Sequence, residues 1–265
     1  MKRPGAQTLG NLEPHQHHAP NTPHTAQVVS RGALGLLRSA ASAIADAGAD
    51  HTGGDPNDPA EQEIRALARF GHESGLMLDA GAVQSLFANP DDFLGRGMEH
   101  TVVVLRGEGL VVKDYDTQLY NEVTGEVFYK PAELVFDYLT DHLLANHFFG
   151  DDIQLKGLYE DQGSLHVVIS QPFVHGRHPS WQELVERLES QGLEHESPGT
   201  PKARFWIDAG NAGRMLVTDV HEDNVIISRS EVAHPIDVHF KFGSRAARLA
   251  ALEALGLLKK QPKQS

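Results

Sequence analysis

The sequence predicts an α+β fold on three observations. Two β-hairpin signals, around Gly107-Glu108-Gly109 and Asp161-Gln162-Gly163, flank a strongly apolar helical stretch. A block of short β-branched segments then follows residue 204. The 265 residues leave room for one core with an appendage, or for two small domains.

Composition narrows the partners. With 23 basic and 36 acidic residues the net charge is −13, which disfavours a nucleic-acid backbone or an anionic membrane surface as main partner. The absence of cysteine excludes disulfides, thiolate metal sites and cysteine nucleophiles, and suits a reducing cytosol. The run 33–45 is apolar, but Arg38 interrupts it and it is too short to span a bilayer. A cytoplasmic protein is expected. Of the sixteen histidines, His15, His17, His18 and His24 lie in a proline-rich stretch without apolar periodicity.

Three regions follow in order. Residues 1–57 read as a disordered His/Pro-rich tail and linker, with Gly53-Gly54-Asp55-Pro56 marking the linker. Residues 58–91 read as a helical prelude: Asp58-Pro59-Ala60-Glu61 is a helix start, and a second short helix follows Asp79. Residues 92–265 read as a compact domain. There His100–Arg106 and Leu110–Asp114 form the first hairpin, and Pro131 opens a helix through Val135, Leu139 and Leu143 that stops at Gly150. Residues 153–160 and 164–174 form the second hairpin, and Ser180-Trp181-Gln182-Glu183 is a capping box. Strands are expected at 205–208, 215–219, 224–228 and 235–240, before a last amphipathic helix from Ser244 to about Leu258.

The residues with chemical potential cluster late in the chain. In Thr218-Asp219-Val220-His221-Glu222-Asp223-Asn224, an aspartate precedes an asparagine by five residues, and Asp237 follows Asn224 by thirteen. Phosphoryl transfer needs such a set: a carboxylate to orient the attacking hydroxyl, and an amide and a second carboxylate whose oxygens hold Mg²⁺ against the phosphates. The spacing Asp219-x₄-Asn224 is that of the kinase catalytic loop.

On these residues the chain resembles the protein-kinase-like superfamily. The closest likenesses are to the aminoglycoside-phosphotransferase and choline-kinase branch, with its Asp-Leu-His-x-x-Asn loop, and to the kinase domains of bacterial and phage polyvalent proteins. The resemblance implies a two-lobed fold with a β-rich N-lobe, ATP and Mg²⁺ as cofactors, and a protein or small-molecule hydroxyl as acceptor. It implies Asp219 as catalytic base, Asn224 and Asp237 as metal ligands, and His221 as a phosphate-contacting or loop-ordering residue. Val111-Val112-Lys113 ends a strand like the nucleotide-binding lysine, and Glu133 is its expected carboxylate partner, with Glu126 and Glu122 as alternatives. Gly95-Arg96-Gly97 would cover the phosphates, and the segment containing Gln171 and Phe173 would be the adenine hinge.

Departures from the pattern are specific. His100 replaces the third glycine of Gly-x-Gly-x-x-Gly, and Asp237-Val238-His239 stands for Asp-Phe-Gly. Only forty-five residues separate Phe173 from Asp219, and twenty-eight follow Asp237, so a reduced C-lobe is expected. A pseudokinase that binds nucleotide or a partner without turnover is the alternative. A metal-dependent hydrolase using Asp219, His221, His234, Asp237 and His239 is the third reading.

Overall fold

A computed structural model of the chain describes residues 35–47, 59–96, 100–120, 127–129 and 134–259. Its first helix, α1 (Leu36–Ala47), buries Leu37, Ala40, Ala41, Ile44 and Ala45. Assigning all of 1–57 to a disordered tail is therefore corrected for this stretch. Positions 37, 40, 41 and 44 share one helical face, and its alanines let α1 lie close against α2 (Pro59–Glu73) and against the central helix described below.

Helix α3 (Ala80–Phe87) starts where expected, with the Asp79 carboxylate accepting from the Ala82 amide at 2.7 Å. Between α2 and α3, residues 76–78 run beside a sheet strand: Leu78 N–H donates to Leu158 O at 2.7 Å and Leu158 N–H to Leu76 O at 3.0 Å. A Cβ on Gly157 would lie 2.7 Å from the Leu76 carbonyl, so only glycine permits this approach. The two prelude helices are thus stitched to the sheet.

That sheet joins β1 (Phe93–Arg96), β2 (His100–Leu105), β3 (Leu110–Asp116), β6 (Gln154–Asp161) and β7 (Ser164–Pro172) in the antiparallel order β1-β2-β3-β7-β6. A two-stranded ribbon, β4 (Gln118–Tyr120) with β5 (Val127–Tyr129), stands apart from it. Strand alternation gives the sheet two apolar faces. Val103, Leu105, Val112 and Val168 pack with Val83 and Leu86 of α3, whereas Tyr115, Leu155, Val167 and Ile169 join the main core.

Helix α4 (Val135–Phe149) carries the largest block of that core, and Gly150, in the left-handed conformation at φ 69°, ends it as expected. Its start is four residues later than Pro131. Leu134 at the N-cap offers no side-chain acceptor, and the buried Glu63 of α2 supplies one instead, accepting from Phe136 N–H at 2.8 Å.

The remaining chain contains β8 (Gly176–Arg177), α5 (Trp181–Ser190), β9 (Leu193–His195), β10 (Arg204–Asp208), β11 (Arg214–Thr218), β12 (Val225–Ser228), β13 (Ala233–Pro235), β14 (His239–Lys241) and α6 (Arg245–Ala254). They form a four-stranded sheet, β14-β11-β10-β9, and a three-stranded one, β13-β12-β8. The single strand expected over 235–240 is two strands in different sheets. Pro235 has no N–H to continue the ladder, and Ile236, Asp237 and Val238 cross from one sheet to the other.

Helix α6 is capped by Ser244 and anchored by Arg248, which is 4 % exposed. Its guanidinium donates to Asp141 Oδ1 at 2.7 Å, Thr140 Oγ1 at 2.7 Å, Asp137 O at 3.1 Å and Phe240 O at 2.6 Å, and Nε lies 3.2 Å from Asp137 Oδ1. One turn earlier Arg245 pairs with Glu63. Replacing Arg248 by methionine leaves Asp141 buried without its guanidinium, a loss of about 3–5 kcal/mol. Urea denaturation of Arg248→Met should read this loss, and adding Asp141→Leu should recover much of it.

Candidate functional site

Strand β11 delivers Asp219 to the surface in a left-handed conformation, φ 64°, which is strained for a residue with a Cβ. Antiparallel pairing of Arg204 with Thr218 and a bond from Val220 N–H to Ala203 O at 3.1 Å hold this turn. One turn of 3₁₀ helix at Glu222–Asn224 then leads into β12. The Asn224 side-chain amide closes the loop. Its Nδ2 donates to Asp219 O at 3.0 Å, to Asp219 Oδ2 at 3.1 Å and to Asp237 O at 2.9 Å. Two segments thirteen residues apart are tied by one amide group, and Ile236 N–H donates to Asn224 O at 2.9 Å to complete the tie.

Lys113 arrives from β3 and is buried. Its Nζ donates to Ile236 O at 3.0 Å and sits 3.5 Å from Asp237 Oδ1. Burial pushes the Asp237 carboxyl up, but Lys113, with His100, His142 and His239 adding to it, outweighs that and holds it below the usual carboxylate range. Asp237 remains 41 % exposed at its side chain, so its outer oxygen is open to solvent. Asp151, beyond α4, is pushed up to about 7 by burial, against the pull of Lys113, and is a poor counter-ion for it.

With Nδ2 spent on three acceptors, Asn224 keeps only its carbonyl oxygen for a ligand. That oxygen and the Asp237 carboxylate are both hard oxygen donors. Asp219, 53 % exposed, has His221 Nε2 at 3.6 Å from Oδ1 and borders a surface groove of about 490 Å³ lined by Lys202, Ala203, Arg204 and Thr218.

The other expected site residues fare differently. Gly95 lies in β1 opposite Val102, with open space where a Cβ would be, while Gly97 lies outside the described residues. The β1–β2 connection is where a phosphate-covering loop was expected. His100, set against that loop by its sequence position, is buried, with Nε2 3.1 Å from Tyr138 Oη. Gln171 is buried at the end of β7 opposite Val111, with Oε1 unpartnered, and Phe173 N–H is committed to Gly109 O at 2.8 Å. Glu133 was expected in the first turn of α4, but it precedes the N-cap; it lies with Glu126 and Glu122 outside the described residues.

Some contributors carried no sequence signal. His178 Nδ1 lies 3.0 Å from Glu222 O and 3.1 Å from Val225 O, bracing the loop from outside. His239 turns to Asp141, with Nδ1 3.4 Å from Oδ2. Among the described residues no group of three or more histidine or acidic side chains converges on one point. The five-ligand set of the hydrolase reading is therefore not assembled. No described helix is long and apolar enough to cross a membrane.

A fold in which a lysine of an antiparallel sheet meets an aspartate, and that aspartate's loop meets an Asp-x₄-Asn loop, is compatible with a kinase-like protein. The family model for the serine/threonine/tyrosine kinase found in polyvalent proteins matches residues 60–244, and the chain belongs to that family. No curated protein and no solved structure matches the chain. The match begins in α2 and so includes both prelude helices.

Lys113→Met removes the cation that holds Asp237 down. Burial then acts with less opposition, and the Asp237 carboxyl pKa should rise; carboxyl ¹³C NMR titration of the variant against the parent reads the shift.

Proposed function

We propose that the chain is an ATP- and Mg²⁺-dependent phosphotransferase acting on a hydroxyl of a protein or small molecule. The observation that carries this reading is the Asn224 amide, which binds Asp219 to the Asp237 segment while Lys113 reaches that same segment from the sheet. Three stretches remote in sequence supply the charges that phosphoryl transfer requires, and positioning and charge stabilisation provide most of the rate in such chemistry.

In this reading Asp219 accepts the acceptor's proton, and its exposure beside the groove leaves room for a hydroxyl. His221 steadies that carboxylate and faces the phosphates. Lys113 holds the nucleotide's phosphates, and Asn224 Oδ1 and Asp237 would hold the metal, which would supply positive charge against the phosphates. Gly95 and Gly97 let the β1–β2 loop approach the phosphates, and the hinge near Gln171 and Phe173 takes the base. Because Phe173 N–H is already used, base recognition there falls to other main-chain groups. The five-stranded sheet with α4 forms the N-lobe, and the strands and short helices from β8 onward form the reduced C-lobe.

The pseudokinase alternative draws on one observation: Lys113 is closed onto Ile236 O and Asp237. Turnover separates the two. Asp219→Ala should abolish γ-phosphate transfer while nucleotide binding persists in a thermal-shift assay, and Asp237→Ala should lose the Mg²⁺ dependence of that binding. Equal turnover by the parent and Asp219→Ala would overturn the catalytic assignment, and a nucleotide shift without any turnover by the parent would favour the pseudokinase.

A further inference from the structure

Two cations stand beside Asp219 and have no part in the phosphoryl-transfer set. Lys202 and Arg204, both exposed, line the same groove of about 490 Å³ together with Ala203 and Thr218. Their backbone is held at several points. Arg204 is paired with Thr218 in the β10–β11 ladder, Val220 N–H donates to Ala203 O at 3.1 Å, and Arg204 N–H donates to Lys202 O at 2.8 Å. His195, 3 % exposed and packed against the rings of Trp181 and Phe205, donates from Nε2 to the same Lys202 carbonyl at 2.8 Å. The stretch that carries the two cations is thus fixed against the turn that carries Asp219.

Charge is uneven along this hairpin. At its far end the Arg214 guanidinium is engaged: it lies 2.6 Å from Glu194 Oε2 and 5.2 Å over the Trp206 ring. At the Asp219 end, Arg204 comes only within 3.6 Å of Glu196, beyond hydrogen-bond reach, and its side chain is 52 % exposed. Lys202 has no ion pair among the described residues. Asp219 is the one acid that lines the groove. On a chain of net charge −13, two open cations at this place are a local reversal of sign.

We infer that Lys202 and Arg204 select the acceptor, and that the groove takes an acidic protein segment in which a hydroxyl residue is flanked by aspartate or glutamate. The flanking carboxylates meet the two cations while the hydroxyl meets Asp219. Without those cations such a segment would be repelled by Asp219 and by the chain's net charge. At physiological ionic strength fields fade within a Debye length of ~8 Å, so the charges lining the groove decide. A protein segment suits the place better than a small molecule. Small-molecule sites are enclosed and mainly apolar, whereas this is a surface groove with charged and polar walls. The inference deepens the function proposed above and rests on Asp219 as its base, but its test reads binding separately from turnover.

A fluorescent peptide with one serine among glutamates, and its counterpart with glutamine for each glutamate, are titrated with the full-length chain and followed by anisotropy. The acidic peptide should bind about tenfold more tightly at physiological salt, and its advantage should shrink as salt rises. Lys202→Glu combined with Arg204→Glu should abolish the preference. Lys202→Gln with Arg204→Gln, which sets no new carboxylate beside Glu196, should bring the acidic peptide to the affinity of the neutral one. Arg214→Glu, at the other end of the hairpin, should leave the preference in place. Equal affinities for the two peptides in the parent would overturn the inference, as would a preference that survives the double substitutions or one that Arg214→Glu removes equally well. A double variant that loses affinity for ATP while keeping its peptide preference would assign the cations to the nucleotide and overturn it too. Phosphate transfer from ATP to the same peptides separates the two readings. Charge-selective binding without any transfer supports this inference and removes the phosphotransferase reading, whereas transfer to both peptides with equal kcat/KM does the reverse.

Discussion

A guanidinium sealed inside the protein governs how its parts are arranged. Arg248 carries a permanent charge into a site that is almost dry, and such a charge is tolerable only if acceptors surround it. They come from α4 and from the Phe240 carbonyl of β14, so the C-terminal helix, the central helix and the strand after Asp237 are located by one group. Glu63 extends the same logic, capping α4 with one oxygen and pairing with Arg245 through the other. The central helix is therefore set in its angle and depth from both ends of the chain. The face it turns to Tyr115 of β3 is a consequence of that placement.

The site itself depends on a change of sheet. If residues 235–240 were one strand, Asp237 would point alternately with its neighbours into a core or out to water. Because the ladder breaks at Pro235, the aspartate sits in a crossover whose backbone is free to meet both Lys113 and Asn224. The same economy explains how a short chain assembles the site. Between Pro172 and Asp219 the connection is made by a single described α-helix and strands β8 to β11, so Asp219 is presented at the end of a β-hairpin.

Most of the elements were legible because their signals are local. Capping at Asp79, Ser180 and Ser244, the two Gly-centred hairpins and the glycine stop at residue 150 each depend on neighbours a few residues away. The Asp219, Asn224 and Asp237 spacing was legible for a similar reason, being confined to nineteen positions in the chain. What escaped was set by distant packing. The alanine-rich α1 looks like tail until α2 and α4 provide a surface for it. The start of α4 is fixed by Glu63, 73 residues earlier, and not by the proline nearby. His178 has no motif around it; its relevance comes only from what it faces in space.

The buried ion pairs also set the limits of what can be removed from the chain. A fragment trimmed to residues 60–244, the extent of the family match, would keep every residue of the candidate site. It would nevertheless lack α1 and α6. The apolar surface that α1 covers on α2 and α4 would open to water, and Glu63, Asp137 and Asp141 would be left without Arg245 and Arg248. For expression and crystallisation the smallest sensible unit accordingly runs from the start of α1, for its apolar cover, to the end of α6, for its two arginines.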